Sequence, residues 1–248
     1  AMGYPKLKFE FSVTYFKELI RRQKIKTSFK SANFIVGNHN NPSCMYYLNS
    51  EKIVKKKDVF YLPSTPVPQR KRLNKNERLK LRKKLFTQYA IDLDPRNITF
   101  FIPSRIDFFW KGHDKLLLAI KDVPKDSNFI FTGWGNNRKE AAACAKRYNI
   151  TKQISFLDEL ISKPLLMKFY DMSEAMIDQF NIGLFGTATV EALAGNVPVI
   201  SYSYEKDFKQ YGIIAPPIIN CKTHQEILYN IIKIYENPAL LDTLSIDI

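Results

Sequence analysis

Hydrophobic residues in the second part of the chain form short runs that alternate with segments of helical periodicity. The runs are rich in β-branched and aromatic residues, which favours strands, whereas apolar residues three or four positions apart favour helices. The pattern predicts strands at residues 98–102, 129–132, 153–157, 175–178, 199–202 and 213–215. It predicts helices at residues 74–89, 113–120, 137–148, 164–170, 187–194 and 224–235. Regular alternation of strands and helices predicts an α/β fold with a doubly wound parallel sheet.

The first part of the chain shows a separate succession of elements. The pattern predicts helices at 12–30 and 41–49 and strands at 31–37 and 58–62, before three prolines interrupt regular structure. We therefore expect residues 1–57 to be the tail of one α/β domain, and residues 58–248 to form a second domain.

Positive charge is concentrated in one segment of the chain, whose formal net charge is +14. Between Lys52 and Lys84 there are 13 lysines and arginines, against the two acids Asp58 and Glu77. Such a block is typical of a nucleic-acid site, of a surface for anionic membrane headgroups, or of a solvated helix and linker. Few aromatic residues lie among these charges, which argues against nucleic acid. The other two interpretations remain open.

The composition indicates the cellular compartment in which the protein acts. Hydrophobic residues make up 45% of the chain, enough for a substantial core, and the sequence contains no signal peptide and no apolar run long enough to span a membrane. Cys44, Cys144 and Cys221 are scattered without metal-ligand spacing, which indicates structural cysteines in a reducing compartment. We expect a cytoplasmic protein, peripheral at a membrane if the basic block binds lipid.

The stretch from Asp178 to Ser201 contains a glycine-bounded turn between a strand and a helix. Asp178 ends the strand, Gly183 and Gly186 allow close approach to a ligand, and the helix predicted from Thr187 has a stop signal at Gly195. The start of that helix would present free N–H groups to an anion such as phosphate. The alternative is a turn without a ligand, in which Glu191 offsets the helix dipole.

Two further loops follow predicted strands. The first carries Arg105 and Lys111, two cations suited to a diphosphate, or equally to a solvated surface. The second carries Gly133 and Gly135 in a Gly-x-Gly turn, a weak phosphate signal whose default interpretation is a tight turn. Six of the nine glycines lie at the ends of predicted elements, which suggests one ligand-binding rim.

Taken together, these motifs resemble a known family in order and spacing. The motifs are Arg105…Lys111-Gly112, Gly133-x-Gly135, Ile154-Ser-Phe-Leu157 and Gly186-x4-Glu191-Ala-Leu-Ala-Gly-x-x-Pro-Val-Ile-Ser201. They resemble the C-terminal nucleotide-sugar-binding domain of GT-B glycosyltransferases, a Rossmann-like domain, and most closely that of glycosyltransferase family 4, or group 1. The resemblance covers roughly residues 58–243, and residues 5–57 resemble the end of the family's N-terminal, acceptor-binding domain.

The resemblance implies a role for each motif. Arg105 and Lys111 would hold the diphosphate of the donor, and Glu191 would accept hydrogen bonds from its ribose. The remaining residues of the implied donor site are Gly133, Gly135, Phe156, Leu157, Asp178, Gly183, Leu184, Phe185, Gly186 and Thr187. It also implies transfer of a hexose, with retention, from a nucleotide-diphosphate sugar to a saccharide or lipid-linked acceptor, as in polysaccharide or glycoconjugate biosynthesis. No metal or other cofactor is implied.

Two departures from the family pattern leave alternatives open. Gly183 stands eight positions before Glu191, where the family has an acid that contacts the transferred sugar, and Arg105 and Lys111 are six rather than five positions apart. Asp178 would supply the missing carboxylate or would cap the turn. The alternatives are a non-catalytic nucleotide-sugar-binding module or partner subunit, and a sugar-nucleotide epimerase, which needs cleft histidines from among His39, His113 and His224. With so little of a first domain, we expect the chain alone to bind nucleoside diphosphate weakly and to transfer little sugar.

Overall fold

The computed structural model describes residues 20, 23–24, 27, 35–38, 59–62, 67–158, 161–205 and 215–238. The chain divides into two compact units, Ala1–Pro63 and Ser64–Ile248. In the first unit, strand β1 (Ile35–Asn38) pairs in parallel with β2 (Val59–Leu62). The boundary between the two units follows residue 63, whereas the predicted domain boundary follows residue 57. The six additional residues include β2, which pairs with β1. The described residues of the predicted helix 12–30 are helical, and the predicted helix 41–49 lies outside the described residues.

The second unit contains a six-stranded, fully parallel sheet. Its strands are β3 (Ile98–Ile102), β4 (Ser127–Thr132), β5 (Ile154–Leu157), β6 (Ala175–Ile177), β7 (Val199–Ser201) and β8 (Ile219–Asn220). Their order is β5-β4-β3-β6-β7-β8, so the chain adds two strands on one side of β3 and then crosses to the other side. The predicted doubly wound α/β fold is confirmed. The carboxyl ends of β3 and β6 meet at the switch point, where ligands bind in open α/β sheets.

Helices cover both faces of this sheet. In the described part of the second unit they are α1 (Lys75–Gln88), α2 (Phe108–Lys111), α3 (His113–Ile120), α4 (Arg138–Arg147), α5 (Lys163–Asp171), α6 (Thr187–Leu193) and α7 (His224–Glu236). Apart from α2, which was not predicted, each helix begins and ends within one residue of its predicted bounds. The predicted strand 213–215 is not observed at Ala215, its one described residue, and β8 lies further along the chain.

Alternate residues of the strands supply two hydrophobic layers. Phe100 points to one face and stacks on Phe129 with ring centroids 5.1 Å apart, whereas Phe101 points to the other face and stacks on Phe169 at 5.2 Å. The first layer packs against α3, α4 and α7, and the second against α1, α5 and α6. The sheet is therefore buried on both faces, and its carboxyl edge is left for the loops. Of the cysteines, Cys221 is buried, which raises the pKa of its thiol to about 12, Cys144 is half-buried, and Cys44 lies outside the described residues.

The basic block separates into two kinds of residue within its described part. Arg82 is buried and donates to both carboxylate oxygens of Glu174 at 2.7 Å, and Arg70 pairs with Asp171 at 3.2 Å. Arg72 and Arg78 also donate to backbone carbonyls. The lysines of this part are exposed, namely Lys71, Lys75, Lys80, Lys83 and Lys84. The arginines thus hold the segment against the sheet, and the lysines supply the surface charge.

Candidate functional site

Loops at the carboxyl edge of the sheet are joined by backbone hydrogen bonds. Ile106, after β3, accepts from Asn137 and donates to Trp134, both after β4. Gly133 donates to Leu157 at the end of β5 at 2.7 Å, and Phe180, after β6, donates to Lys111 at 2.8 Å. These loops therefore form one continuous rim. The structure brings the predicted glycine and cation motifs to this one edge.

Lys111 and Asp178 form an ion pair at the switch point. The Lys111 ammonium donates to one carboxylate oxygen of Asp178 at 2.7 Å, and the Thr189 hydroxyl donates to the other at 3.2 Å. Asp178 is fully buried, whereas the Lys111 side chain is 19% exposed. Both oxygens of Asp178 are engaged, so this carboxylate ties the loop after β3 to helix α6. Because Asp178 is fully buried, contact with a sugar, the role considered for it from the sequence, would require the surrounding loops to open.

Arg105 lies on the same loop and is the more exposed of the two predicted diphosphate cations. Its side chain is 46% exposed and its Nε lies 3.4 Å from Asp107, a buried residue that caps the backbone N–H of Trp110. The guanidinium is thus held near the short helix α2, with much of its surface open to solvent. This geometry leaves Arg105 able to bind an anion without losing a buried contact.

Gln179 organises the glycine turn from inside. Its side-chain oxygen accepts from the N–H groups of Asn181, Ile182 and Gly183, and its amide nitrogen donates to the carbonyl of Leu184. No local sequence signal predicts this role of Gln179, because the bonds depend on the folded turn. Beyond it, Leu184, Phe185 and Gly186 are half-buried, and Thr187 is exposed at the start of α6.

Gly183 occupies a position that excludes a side chain. Its φ of +73° lies in the left-handed region, and a Cβ there would overlap the ring of Tyr204. The place of the family's acid is therefore filled by an aromatic ring from the loop after β7. At Gly186, by contrast, the nearest atom to an added Cβ is a carboxylate oxygen of Asp178 at 3.9 Å.

Glu191 is buried on α6 and faces α5. One of its oxygens accepts from the ammonium of Lys163, and the other accepts from the Tyr170 hydroxyl at 3.3 Å. Burial, with a further contribution from Glu191, raises the pKa of Tyr170, so its hydroxyl stays protonated and acts as a donor. Neither partner was predicted from the sequence, because both lie on a different helix.

The end of helix α6 differs from the prediction at Gly195. The left-handed residue is Asn196, with φ of +52°, and the N–H of Val197 bonds back to Ala192. A Cβ on Gly195 would instead meet the guanidinium of Arg70, which also donates to the carbonyl of Glu191. Glycine at this position is therefore favoured by packing against the Arg70 side chain, which a Cβ would displace, rather than by the turn.

The end of β5 carries an aromatic platform. The guanidinium carbon of Arg138 lies 3.8 Å from the centroid of the Phe156 ring, and the same guanidinium pairs with Asp158 at 3.2 Å. Trp134, in the Gly-x-Gly turn after β4, is exposed, and Leu157 is buried. Phe156, predicted near the nucleotide base, is thus a half-buried ring already covered on one face by a cation.

His113, one of the histidines that an epimerase would need in its cleft, is instead fully buried. Its Nδ1 accepts from the N–H of Asp107 at 3.2 Å, so the hydrogen lies on Nε2, which is 3.2 Å from the carbonyl of Asp178. Burial lowers the pKa of His113 to about 4, although Asp178 opposes that shift. The imidazole is therefore neutral near pH 7 and acts as a structural link between the two loops.

Comparison with protein families identifies the chain. Residues 83–242 match the family described as glycosyl transferases group 1. The chain belongs to this family. The predicted resemblance to a group 1 C-terminal domain of the GT-B type is confirmed, whereas the individual site roles remain predictions.

Solved structures share the fold. Sucrose-phosphate synthase from Thermosynechococcus elongatus superposes with a TM-score of 0.67 at 18% identity, covering 95% of this chain and 57% of that one. Anabaena Alr3699/HepE in complex with UDP and glucose gives 0.69 at 15% identity, covering 94% and 62%. The C-terminal domain of the group 1 protein LpcC from Francisella tularensis gives 0.52 at 18% identity, covering 66% and 87%.

The chain spans less than two thirds of the length of the first two of these structures. No curated protein sequence matches it significantly. Among the described residues, no helix has both the length and the apolar character needed to cross a lipid bilayer.

Proposed function

We propose that the chain is the donor-binding part of a glycosyltransferase. It binds a nucleotide-diphosphate sugar at the carboxyl edge of the sheet, and the whole enzyme transfers a hexose, with retention, to a saccharide or lipid-linked acceptor. Residues 1–57 then contribute to an acceptor-binding domain. Side-chain cations rather than a metal ion balance the diphosphate charge, so nucleotide binding is expected to be insensitive to EDTA.

The observation that carries this proposal is the position of the cations Arg105 and Lys111. Both follow β3, the strand beside the switch point, and Lys111 is held there by the buried carboxylate of Asp178. An ammonium with three donors can keep its bond to Asp178 and still donate to a phosphate oxygen. Fixed cations at this position would bind the diphosphate and stabilise it as it departs from the sugar.

Titration calorimetry of the chain with UDP, GDP and ADP, followed by their sugars, tests the proposal. We expect at least one diphosphate to bind, and we expect Arg105→Ala and Lys111→Met each to weaken it by about tenfold or more, since each removes a charge-assisted hydrogen bond.

Matched controls for these two variants lie away from the rim. Arg96→Ala removes an exposed arginine from the turn before β3, and Lys121→Met removes an exposed lysine after α3. Equal affinity in all four variants, or no binding of any diphosphate by the unmodified chain, would overturn the proposal.

One observation favours a second candidate, a nucleotide-sugar-binding module without transfer activity. Tyr204 fills the place of the acid at Gly183, and Asp178 is buried with both oxygens engaged. Sugar transfer measured with the full-length protein separates the two functions. Nucleotide binding without transfer or hydrolysis would favour the module.

The surface of α1 supports a further proposal, that this face contacts an anionic membrane near a lipid-linked acceptor. The five lysines between Lys71 and Lys84 are exposed, whereas the arginines among them are committed to internal contacts. Between residues 67 and 84, where the structure describes the block, the exposed lysines are therefore the charges available to lipid headgroups.

A further inference from the structure

The two partners of Glu191 differ in their access to solvent. The Glu191 side chain is 4% exposed, and its oxygens accept from Lys163 and Tyr170. Tyr170 is fully buried and packs edge-on against Phe101 with ring centroids 5.5 Å apart. The Lys163 side chain is 53% exposed.

This difference decides which partner a ligand can replace. Tyr170 is fixed in the core, so its bond to Glu191 persists whether or not a ligand is present. Lys163 begins helix α5 and can move its ammonium into water at little cost, because exposed lysines are flexible and well hydrated. A buried carboxylate needs a partner in both states, since an unpaired buried charge is strongly unfavourable. A ligand that displaces Lys163 must therefore bring its own donors.

We propose that Lys163 and the ribose hydroxyls of the nucleotide compete for the same oxygen of Glu191. This inference rests on the proposed function, and it takes from the family resemblance the role of Glu191 as the acceptor of hydrogen bonds from the ribose. Without nucleotide, Lys163 keeps the carboxylate paired and oriented; with nucleotide, the ribose hydroxyls take its place. Lys163 thus lowers the affinity for ribonucleotides and has no such effect on a nucleotide that lacks both hydroxyls.

Substitutions at Lys163 distinguish competition from a structural or a direct binding role. Lys163→Met keeps the aliphatic stem and removes the charge, so UDP, GDP or ADP is expected to bind about threefold to tenfold more tightly than to the unmodified chain. Lys163→Arg offers a forked donor that holds the carboxylate better, so the same diphosphate is expected to bind more weakly. If Lys163 had a structural role instead, the unmodified chain would bind the diphosphate more tightly than either variant.

The 2′,3′-dideoxy forms of the same diphosphates provide the ligand control. We expect the three chains to bind the dideoxy form with equal affinity, because no hydroxyl then competes for Glu191. Lys168→Met provides the protein control, as it removes an exposed lysine later in the same helix. Calorimetry measures the affinities, and thermal unfolding of each variant checks that it is folded.

The outcomes separate this inference from the function on which it rests. Unchanged or weaker ribonucleotide binding by Lys163→Met, with binding by the unmodified chain intact, would overturn the competition alone. An equal gain for the ribose and dideoxy forms would also overturn it, since the gain would then be independent of the hydroxyls. No binding of any diphosphate to any chain would overturn the proposed function itself.

Discussion

A single buried histidine links the two loops that meet at the switch point. Burial lowers the pKa of His113 to about 4 from its ordinary value of 6.5. The imidazole is therefore protonated at a lower pH in the folded chain than in the unfolded chain. Above about pH 6.5, the neutral His113 does not reduce the unfolding free energy. As the pH falls from 6.5 towards 4, the unfolded chain binds the proton first, and the unfolding free energy falls by up to about 1.4 kcal/mol per pH unit. His113→Gln should flatten the dependence of the unfolding free energy on pH in this window, as measured by urea unfolding at several pH values.

His224→Gln is the control for this measurement. His224 lies at the start of α7 and is half-buried. If the His113 variant kept the slope of the unmodified chain, the acid sensitivity would belong to other groups and the neutral, buried state of His113 would be wrong.

Two glycines of one turn should respond differently to the same substitution. Gly183→Ala places a Cβ against the Tyr204 ring at a left-handed φ, and we expect a loss of about 1–3 kcal/mol in unfolding free energy. Gly186→Ala meets no atom closer than 3.9 Å, and its φ is −102°, so the change should stay within about 0.5 kcal/mol. Chemical denaturation of both variants gives the comparison.

A third variant separates strain from overlap at Gly183. In a chain that already carries Tyr204→Ala, the overlap is absent, so adding Gly183→Ala should cost only the backbone penalty of about 1 kcal/mol relative to Tyr204→Ala alone. Equal losses for the two single variants would contradict the packing of Tyr204 against this turn, and with it the reason why an acid is excluded there.

At the scale of elements, the sequence predicted long helices and buried strands within two residues, because hydrophobic periodicity extends over their whole length. Helix α2 and strand β8 were missed because four and two residues are too short to show a period. The edge that carries the site was also predicted, since the motifs follow parallel strands. The residues that contact these motifs were not predicted. Lys163, Tyr170 and Gln179 acquire their roles only when α5, α6 and the turn are packed.

Helix α1 is joined to the amino end of the sheet by an ion pair between Arg82 and Glu174. Arg82 is 3% exposed, and besides Glu174 it donates to the carbonyls of Met172 and Asn97. Glu174 in turn accepts from the N–H of Thr99 in β3 at 2.7 Å. The pair thus connects α1 to β3 and to the residue before β6.

Breaking this pair should loosen α1 while leaving the opposite edge of the sheet intact. Arg82→Met leaves the Glu174 carboxylate buried without its main partner, and we expect a loss of about 3–5 kcal/mol in unfolding free energy. Arg96→Met removes an exposed arginine from an ion pair with Asp94 and should leave the unfolding free energy nearly unchanged, because exposed ion pairs contribute little. Thermal and urea unfolding compare the two; similar small losses would show that Arg82 is not a structural anchor.

At the scale of the whole molecule, the charged residues at the two edges of the six-stranded sheet have different roles. The amino edge carries Arg82 and Glu174, whose charges are fully used within the fold. The carboxyl edge carries Arg105, which is half-exposed, and Glu191, one of whose partners is exposed. Charge at the first edge therefore stabilises the chain, whereas charge at the second remains available to a ligand.

The same division applies to the basic block, and it yields a test of membrane contact. Exposed lysines attract anionic lipid by about 1 kcal/mol each near the surface, and their removal costs the fold little. Replacing the five exposed lysines between Lys71 and Lys84 by glutamine should therefore lower co-sedimentation with phosphatidylserine vesicles by at least tenfold at low salt, with little change in melting temperature.

The matched control for this variant replaces five exposed lysines elsewhere, namely Lys121, Lys139, Lys152, Lys168 and Lys233. Equal losses for both sets would mean that net charge alone drives binding, and no binding by the unmodified chain would remove the membrane from the proposal.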